Sequence, residues 1–345
     1  MSAPRIATIL KIDAKVCHVE IEGRRIQVGL RGRLFEDRGR DRSPVAVGDR
    51  VVLGKDGESD AIEAVLPRTT RLARRAKGEE DREQVIAANV SLVLVVSALR
   101  EPPFQALLVD RIFAACARQD LRAELVLTKL DQDKRGEVAR WLDLYRGLGY
   151  AVHGTSVAPG HETHDTLAVL RAELRANTTV LTGLSGAGKS TLLNALVPGL
   201  GLRVGDVSRV QHGRHTTSAS ELFPLPGGGY VLDTPGIRNF VLFSVAPGEL
   251  TFWFREFAEV ARGCAYRDCS HLAEKDCAVR VALASGVIDP SRFERSEPLR
   301  ELPAPLHGVE GDGGPRASRR VLNATASMPT KPATSVTIVA TIAGM

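Results

Sequence analysis

The chain has 345 residues, 43% of them hydrophobic and 25% charged, with a formal net charge of +5; this is enough apolar material for two or three packed domains and excludes a fibrous protein. Five cysteines is an odd number, and three of them crowd between 264 and 277, which argues against a disulfide framework and for a reducing compartment with a metal site. The opening Met1-Ser2-Ala3-Pro4-Arg5 lacks the apolar core of a secretory signal and no stretch is long enough to cross a bilayer, so a cytoplasmic protein without membrane attachment is expected.

Residues 5–66 read as short strands. Residues 16–21 and 26–30 alternate apolar with polar side chains and are joined through Glu22-Gly23-Arg24, the pattern of a hairpin. A third run, 49–53, follows Val47-Gly48. Residues 1–66 are too short for a β-sandwich but sufficient for a small five-stranded barrel of the oligonucleotide-binding (OB) type. Residues 5–77 hold 17 Lys plus Arg against 11 Asp plus Glu, so the basic excess lies at this end of the chain. The segment 67–90 begins polar and Arg-rich, lacks apolar periodicity, and is expected to be a linker.

From residue 91 apolar runs alternate with helical patterns. Strands are expected at 92–96, 125–127, 150–152, 179–181, 221–223 and 230–232, with helices at 104–119, 134–148, 164–174 and 189–197, the last stopped by Pro198-Gly199. Strands separated by helices imply a mostly parallel sheet, so 91–243 is expected to be an α/β domain. Residues 244–302 look helical around the cysteine cluster. The tail, 303–345, is rich in Ala, Thr, Ser, Pro and Gly and is expected to be disordered.

Within the α/β segment, Gly183-Leu184-Ser185-Gly186-Ala187-Gly188-Lys189-Ser190 fits G-x-x-x-x-G-K-S, follows a β-branched strand and opens the helical run that begins at Thr191. That context marks a phosphate-binding loop. Its glycines let backbone N–H groups fold around phosphates, Lys189 reaches the outer phosphates, and the Ser190 hydroxyl ligates Mg²⁺. Asp233-Thr234-Pro235-Gly236 closes the strand at 230–232, where Asp233 can meet the Mg²⁺ shell and the Gly236 N–H a γ-phosphate. Thr128-Lys129-Leu130-Asp131 leaves a buried strand at the carboxyl edge of the sheet, where open α/β folds bind ligands. Asp131 can accept from guanine N1–H and the 2-amino group, a donor pair that adenine does not offer, so it selects GTP over ATP. Lys129 can lay its methylene stem along the base, and Thr155-Ser156-Val157 supplies a second base-contacting loop.

Further on, Cys264-x4-Cys269-x-His271-x5-Cys277 offers three thiolates and an imidazole, the ligand set of one closed, tetrahedral structural zinc (Zn²⁺) site whose metal supplies folding energy to a short loop. Cys17 and Cys116 stand apart on apolar runs and read as small buried hydrophobes.

The order of these strings is unusual. A standard guanine-nucleotide-binding domain opens with the phosphate loop and ends with the base-reading strings; here the base-reading strings come first and the domain finishes at Asp233-Thr234-Pro235-Gly236. Together with a barrel ahead of the domain, the string Gly213-Arg214-His215-Thr216-Thr217 and the Cys/His cluster behind it, this order resembles the circularly permuted GTPases, specifically the ribosome small-subunit-dependent GTPase A family. The resemblance covers about residues 5–300. It implies a multidomain protein: an OB-type barrel, a circularly permuted P-loop GTPase domain and a helical zinc-binding domain. It also implies a monomer that binds the small ribosomal subunit and its rRNA, hydrolyses GTP to GDP with the subunit as stimulus, assists late maturation and couples hydrolysis to release. Ile237 stands where many GTPases carry a water-orienting Gln, so the resemblance passes that duty to His215 in the first switch, with Lys189 as its catalytic partner at the phosphates and Thr217 or its neighbour Thr216 completing the Mg²⁺ shell. Thr128 departs from the family's usual Asn, keeping a hydroxyl with less reach. Two other readings remain: a P-loop ATPase or kinase with no role for Asp131, and an RNA-binding adaptor that holds GTP without cleaving it.

Overall fold

The structure, a computed structural model, describes residues 4–13, 16–35, 43–57, 59–76, 79–199, 220–233, 253–266 and 269–301. Strands β1 (Arg5–Asp13), β2 (Val16–Ile21), β3 (Arg24–Leu30), β4 (Arg50–Asp56) and β5 (Ser59–Val65) form the N-terminal unit. The ladder runs β1-β2-β3-β5-β4 and returns to β1 by an antiparallel β1–β4 pairing, so the sheet closes. This is the expected five-stranded barrel. Alternation packs its interior: Ala7 and Ile9 from β1, Cys17 and Val19 from β2, Val28, Val51, Leu53 and Ile62 share one core. Burial pushes the Cys17 thiol up to about 12, as befits a side chain used as a small hydrophobe.

The segment 67–90, expected as a linker, contains an antiparallel hairpin, β6 (Arg71–Ala76) with β7 (Glu79–Ala88). Its register sets Arg75 opposite Glu83 and Arg74 opposite Gln84. Both strands are rich in charged and polar residues, so no apolar periodicity marked the hairpin in the sequence. Its base is anchored: Leu72 and Ala87 are buried in the main core, and the Ala73 N–H donates to the Gln119 side chain at 3.1 Å.

The remaining strands are β8 (Leu92–Ala98), β9 (Ala123–Thr128), β10 (Val152–Gly154), β11 (Thr178–Thr182), β12 (Glu221–Pro224) and β13 (Tyr230–Asp233). They lie in the order β10-β9-β8-β11-β13-β12, parallel except for β12. Helices α1 (Ala106–Arg118), α2 (Glu137–Gly147), α3 (His164–Ala176) and α4 (Lys189–Leu196) connect them. Every residue of β8 is buried because both faces are covered. Val93 and Val95 pack with Val109, Ile112 and Phe113 of α1, while Leu92, Leu94 and Val96 pack with leucines of α3 and α4. The result is a three-layer α/β unit.

The C-terminal part carries α5 (Arg255–Val260), α6 (Ala278–Ala284) and α7 (Pro290–Glu301). Phe254, Phe257, Val279 and Ile288 belong to the same core as α1 and β9. A buried polar knot adds to this apolar contact. Asp110 of α1 accepts from the Tyr145 hydroxyl at 2.6 Å and from Arg295 Nε at 2.6 Å. It also pairs with Arg292, whose Nε donates to Glu256 at 2.6 Å and whose guanidinium lies 4.3 Å over the Phe254 ring.

Among the described residues the barrel is tied to β12 and to the 67–90 segment. Strand β1 meets β12 with Lys11 opposite Glu221, so barrel and parallel sheet form one 11-stranded ladder. At the second joint Gly48 has φ +87°, and a Cβ there would lie 2.2 Å from the Ala88 carbonyl oxygen. Fully buried Asp49 accepts from Arg68 at 2.7 and 2.9 Å, and Asn89 donates to the Gly48 carbonyl at 2.9 Å. Among the described residues no helix is long and apolar enough to cross a membrane.

Candidate functional site

The carboxyl ends of β8, β9, β10, β11 and β13 share one edge of the sheet, the side on which a parallel α/β sheet leaves a crevice. The phosphate-loop motif lies there. β11 delivers the chain into Gly183, which at φ +140° runs so close to β8 that a Cβ would lie 1.9 Å from the Val96 carbonyl oxygen. Gly186 and Gly188 also take left-handed conformations, at φ +79° and +85°, and α4 begins at Lys189. Lys189 is 8% exposed, with its Nζ held inside the loop by the carbonyls of Gly183 at 3.0 Å and Leu184 at 2.6 Å. Ser190, next along the helix, is buried. The first-turn N–H groups of α4 therefore open toward the concavity alongside a fixed cation.

The string Thr128 to Asp131 stands beside it. β9 ends at Thr128, whose hydroxyl donates to the Ala187 carbonyl at 2.7 Å. That bond ties the loop of one motif to the first residue of another, 59 positions away in the chain. Lys129 follows at φ +60°, and its Nζ donates to the Glu101 carbonyl at 2.6 Å. Leu130 and Asp131 lie in a short 3₁₀ turn, and Asp131 accepts from the Ser156 hydroxyl at 2.7 Å.

The second expected loop is rigidly held. The Thr155 N–H donates to the Leu127 carbonyl at 2.7 Å, the Thr155 hydroxyl meets that of Thr163 at 2.9 Å, and Val157 packs against the α3/α4 core. Thr155 and Ser156 are buried. So Thr128 to Asp131, Thr155 to Val157 and Gly183 to Thr191 come together at one edge. Asp233 ends β13, next to β11 in parallel register. Gly236, His215, Thr216, Thr217 and Ile237 lie outside the described residues, as does the tail expected to be disordered.

Residues not singled out in the sequence also shape this edge. Asp133 accepts from the N–H groups of Glu137 and Val138 and so caps α2. Burial acts to raise its pKa, but those backbone donors and Arg100 outweigh it and hold the carboxyl below its ordinary range. Thr163 and the Glu101 carbonyl are the others. A backbone carbonyl leaves no mark in sequence; the Asp133 cap is a local signal that was there to be read.

The cysteine cluster is also assembled. One ligand atom from each of Cys264, Cys269, His271 and Cys277 lies within 4.8 Å of the others. The Sγ atoms of Cys264 and Cys277 are 4.0 Å apart, and the His271 Nδ1 is 3.6 Å from the first and 3.4 Å from the second. A tetrahedron with metal–sulfur bonds of about 2.3 Å and metal–nitrogen bonds of about 2.0 Å has edges of about 3.8 and 3.5 Å, so the donor set fits zinc. Cys269, His271 and Cys277 are buried. Burial tends to raise the Cys264 thiol, yet the Val279 and Ala278 N–H groups at the start of α6 and the neighbouring thiols bring it below the usual thiol range. Cys269, driven first by burial, is pushed up to about 12. Glu274 shapes the intervening loop by accepting from Ser270, Leu272 and Ala273.

Residues 65–243 match the family model described as RsgA GTPase. The chain is 38% identical over 284 residues to the small ribosomal subunit biogenesis GTPase RsgA of Gemmatimonas aurantiaca, covering 81% of this chain and 91% of that one. It is 39% identical over 261 residues to the protein of the same name from Chlorobaculum parvum, covering 72% and 82%. Among solved structures, YjeQ from Thermotoga maritima superposes with a TM-score of 0.70 at 30% identity, covering 86% of this chain and 98% of that one. YloQ, described as a circularly permuted GTPase, superposes with a TM-score of 0.64 at 26% identity, covering 86% and 94%.

Proposed function

Because this chain belongs to the RsgA GTPase family and is accordingly a GTP hydrolase, we propose that it binds the small ribosomal subunit, assists its late maturation in the cytoplasm, and couples subunit-stimulated hydrolysis to its own release. The ribosomal part of the reading rests on the relatives' names; the observation that carries its nucleotide site is the 2.7 Å bond from Thr128 to Ala187, with Asp131 braced by Ser156 at 2.7 Å on the same edge. These contacts support a phosphate cradle and a guanine-reading carboxylate sharing one edge of the sheet.

In this reading the backbone N–H groups of Gly183 to Lys189 surround the phosphates, and Lys189 stabilises charge as it moves toward the leaving oxygen. Asp131 accepts from the guanine N1–H and 2-amino group, and Lys129 lines the base with its methylenes. Ser190, Asp233 and Thr217, or Thr216 in its place, would hold Mg²⁺, which when bound neutralises phosphate charge. His215 aligns the attacking water, since the aliphatic Ile237 has no group that can. Ordering of that switch on the subunit would raise turnover. The Cys₃His cluster would hold one Zn²⁺ with a structural role.

The division we propose is a barrel at 1–66, a connecting segment at 67–90, the GTPase unit at 91–243, the zinc-binding unit at 244–302 and a tail at 303–345. The barrel's arginines would meet rRNA phosphates and make binding salt-sensitive. Several are already engaged within the protein, Arg5 with Asp60 at 2.8 Å and Arg25 with Glu221 at 2.9 Å. These exposed pairs are weak enough to exchange for phosphate. The test is phosphate release from GTP with and without purified small subunits. Stimulation by the subunit supports the reading; a measurable rate indifferent to the subunit would overturn the coupling to it, and only an absence of hydrolysis in both arms would favour the adaptor that holds nucleotide without cleaving it.

A further inference from the structure

The turn between β8 and α1 has no part in the motifs that mark the crevice, yet it reaches into it. Residues 99–104 form a closed loop, with the Phe104 N–H donating to the Leu99 carbonyl at 3.1 Å. Its far side is fixed to α2: Phe104 lies 4.5 Å from the Trp141 ring and 6.3 Å from that of Tyr145, and Arg100 pairs with Glu137 at 3.1 Å. At its tip Glu101 is left-handed, with φ +50°. That conformation aims its carbonyl at Lys129, whose Nζ donates to it at 2.6 Å. The same tip lies against the phosphate loop: a Cβ on Gly186 would be 3.5 Å from Pro102 Cδ and 3.9 Å from the Glu101 oxygen.

We propose that the Glu101 carbonyl is a positioning group for nucleotide binding, holding the Lys129 side chain stretched from the base-reading string to the turn that lies against the phosphate loop, so that the nucleoside meets a wall already in place. The inference rests on the reading of this crevice as a guanine-nucleotide site. A lysine side chain is among the most entropically costly to immobilise, and ordering it before the ligand arrives removes that cost from binding. The Thr128 bond to Ala187 fixes the start of the string and the Glu101 bond fixes the end of its lysine, so Lys129 is tethered at both ends. The carboxylate of Glu101 has no role in this; only the direction of its carbonyl matters.

The test is dissociation of a fluorescent GDP from the full chain and from Glu101→Val, Glu101→Asn, Lys129→Ala and the double variant Glu101→Val/Lys129→Ala. A β-branched residue does not hold a left-handed backbone, whereas Asn does. We expect Glu101→Val to release GDP about five- to tenfold faster and Glu101→Asn to restore slow release. In the Lys129→Ala background Glu101→Val should add nothing, because its partner is gone. Wild-type release from Glu101→Val, equal damage from Val and Asn, or multiplying effects with Lys129→Ala would each overturn the proposal while leaving the nucleotide site intact. If Lys129→Ala itself releases GDP no faster than the wild type, or the wild type binds no GDP, the underlying site reading fails with it.

Discussion

The hydroxyl of Thr128 donates to the carbonyl of Ala187 at 2.7 Å, bonding the end of strand β9 to the middle of the phosphate loop. The short threonine side chain is long enough to reach the loop. Gly188 beside it is left-handed at φ +85°, and a Cβ there would make only ordinary contact with the Thr128 oxygen, at 3.6 Å. Thr128→Val keeps the shape and removes the donor. A buried hydrogen bond of about 1.4 kcal/mol corresponds to about tenfold in affinity. GDP and GTP binding should weaken together by about that factor, while Thr128→Ser should bind as the wild type does; titration of a fluorescent nucleotide checks both.

Asp131 is held in place by the Ser156 hydroxyl at 2.7 Å. Replacing its carboxylate with a carboxamide, Asp131→Asn, exchanges an acceptor for a donor. Guanine nucleotides should lose about a hundredfold in affinity or more, and xanthine nucleotides, which carry a carbonyl where guanine has its amino group, should gain. Competition binding with GDP and XDP measures the exchange; unchanged preference would remove Asp131 from base recognition.

The α/β pattern and the two site strings were legible because each combines a local residue signature with its flanking strand and helix, as at Val180 before Gly183 and Leu192 after Ser190. The cysteine spacing was legible because four ligands fall within one short loop. The β6–β7 hairpin was not, since its strands are mostly polar and carry no apolar alternation, while Leu72 and Ala87 at its base are buried in the main core. Nor was the Asp110 knot: Arg295 lies 185 residues from Asp110, and nothing local predicts their meeting. Buried charge normally signals function, but here it joins α7 to α1.

That knot gives a stability prediction. Asp110→Asn would leave the guanidinium of Arg292, 1% exposed, without its full counter-charge. Removing one partner of a buried pair costs about 3–5 kcal/mol. Thermal unfolding should fall accordingly, and limited proteolysis should release the segment carrying α5 to α7 first. Equal stability of variant and wild type would mean that the apolar contacts of Phe254 and Phe257 suffice alone.

Removing the metal bears on the same region. Chelation, or Cys277→Ala, should abolish bound zinc, expected at one per chain, and destabilise the α5 to α7 segment, because so short a loop cannot bury enough apolar surface by itself. Metal analysis with and without chelator, alongside circular dichroism, reads both effects. Retention of full stability without metal would reduce the cluster to a set of buried thiols.

At acid pH a different pair governs. Burial acts to raise the pKa of Glu124, but His153 at 2.9 Å and the adjacent Arg122 outweigh it, so its folded pKa lies below the ordinary 4.5. A depressed carboxylate pKa contributes stability that is present above 4.5 and is lost as pH falls through the folded value. The Tm gap between the wild type and Glu124→Gln should therefore be widest above pH 4.5 and shrink as pH falls below it. A gap independent of pH would show that Glu124 contributes by packing alone.

The most direct measurement is the affinity of the purified chain for GDP and for ADP, each titrated against the wild type and Lys189→Ala. A crevice that joins the phosphate loop to Asp131 predicts GDP binding at least about a hundredfold tighter than ADP, lost in the Lys189 variant. Equal affinity for the two nucleotides, or binding that ignores Lys189, would contradict the union of the two strings in one guanine-nucleotide site.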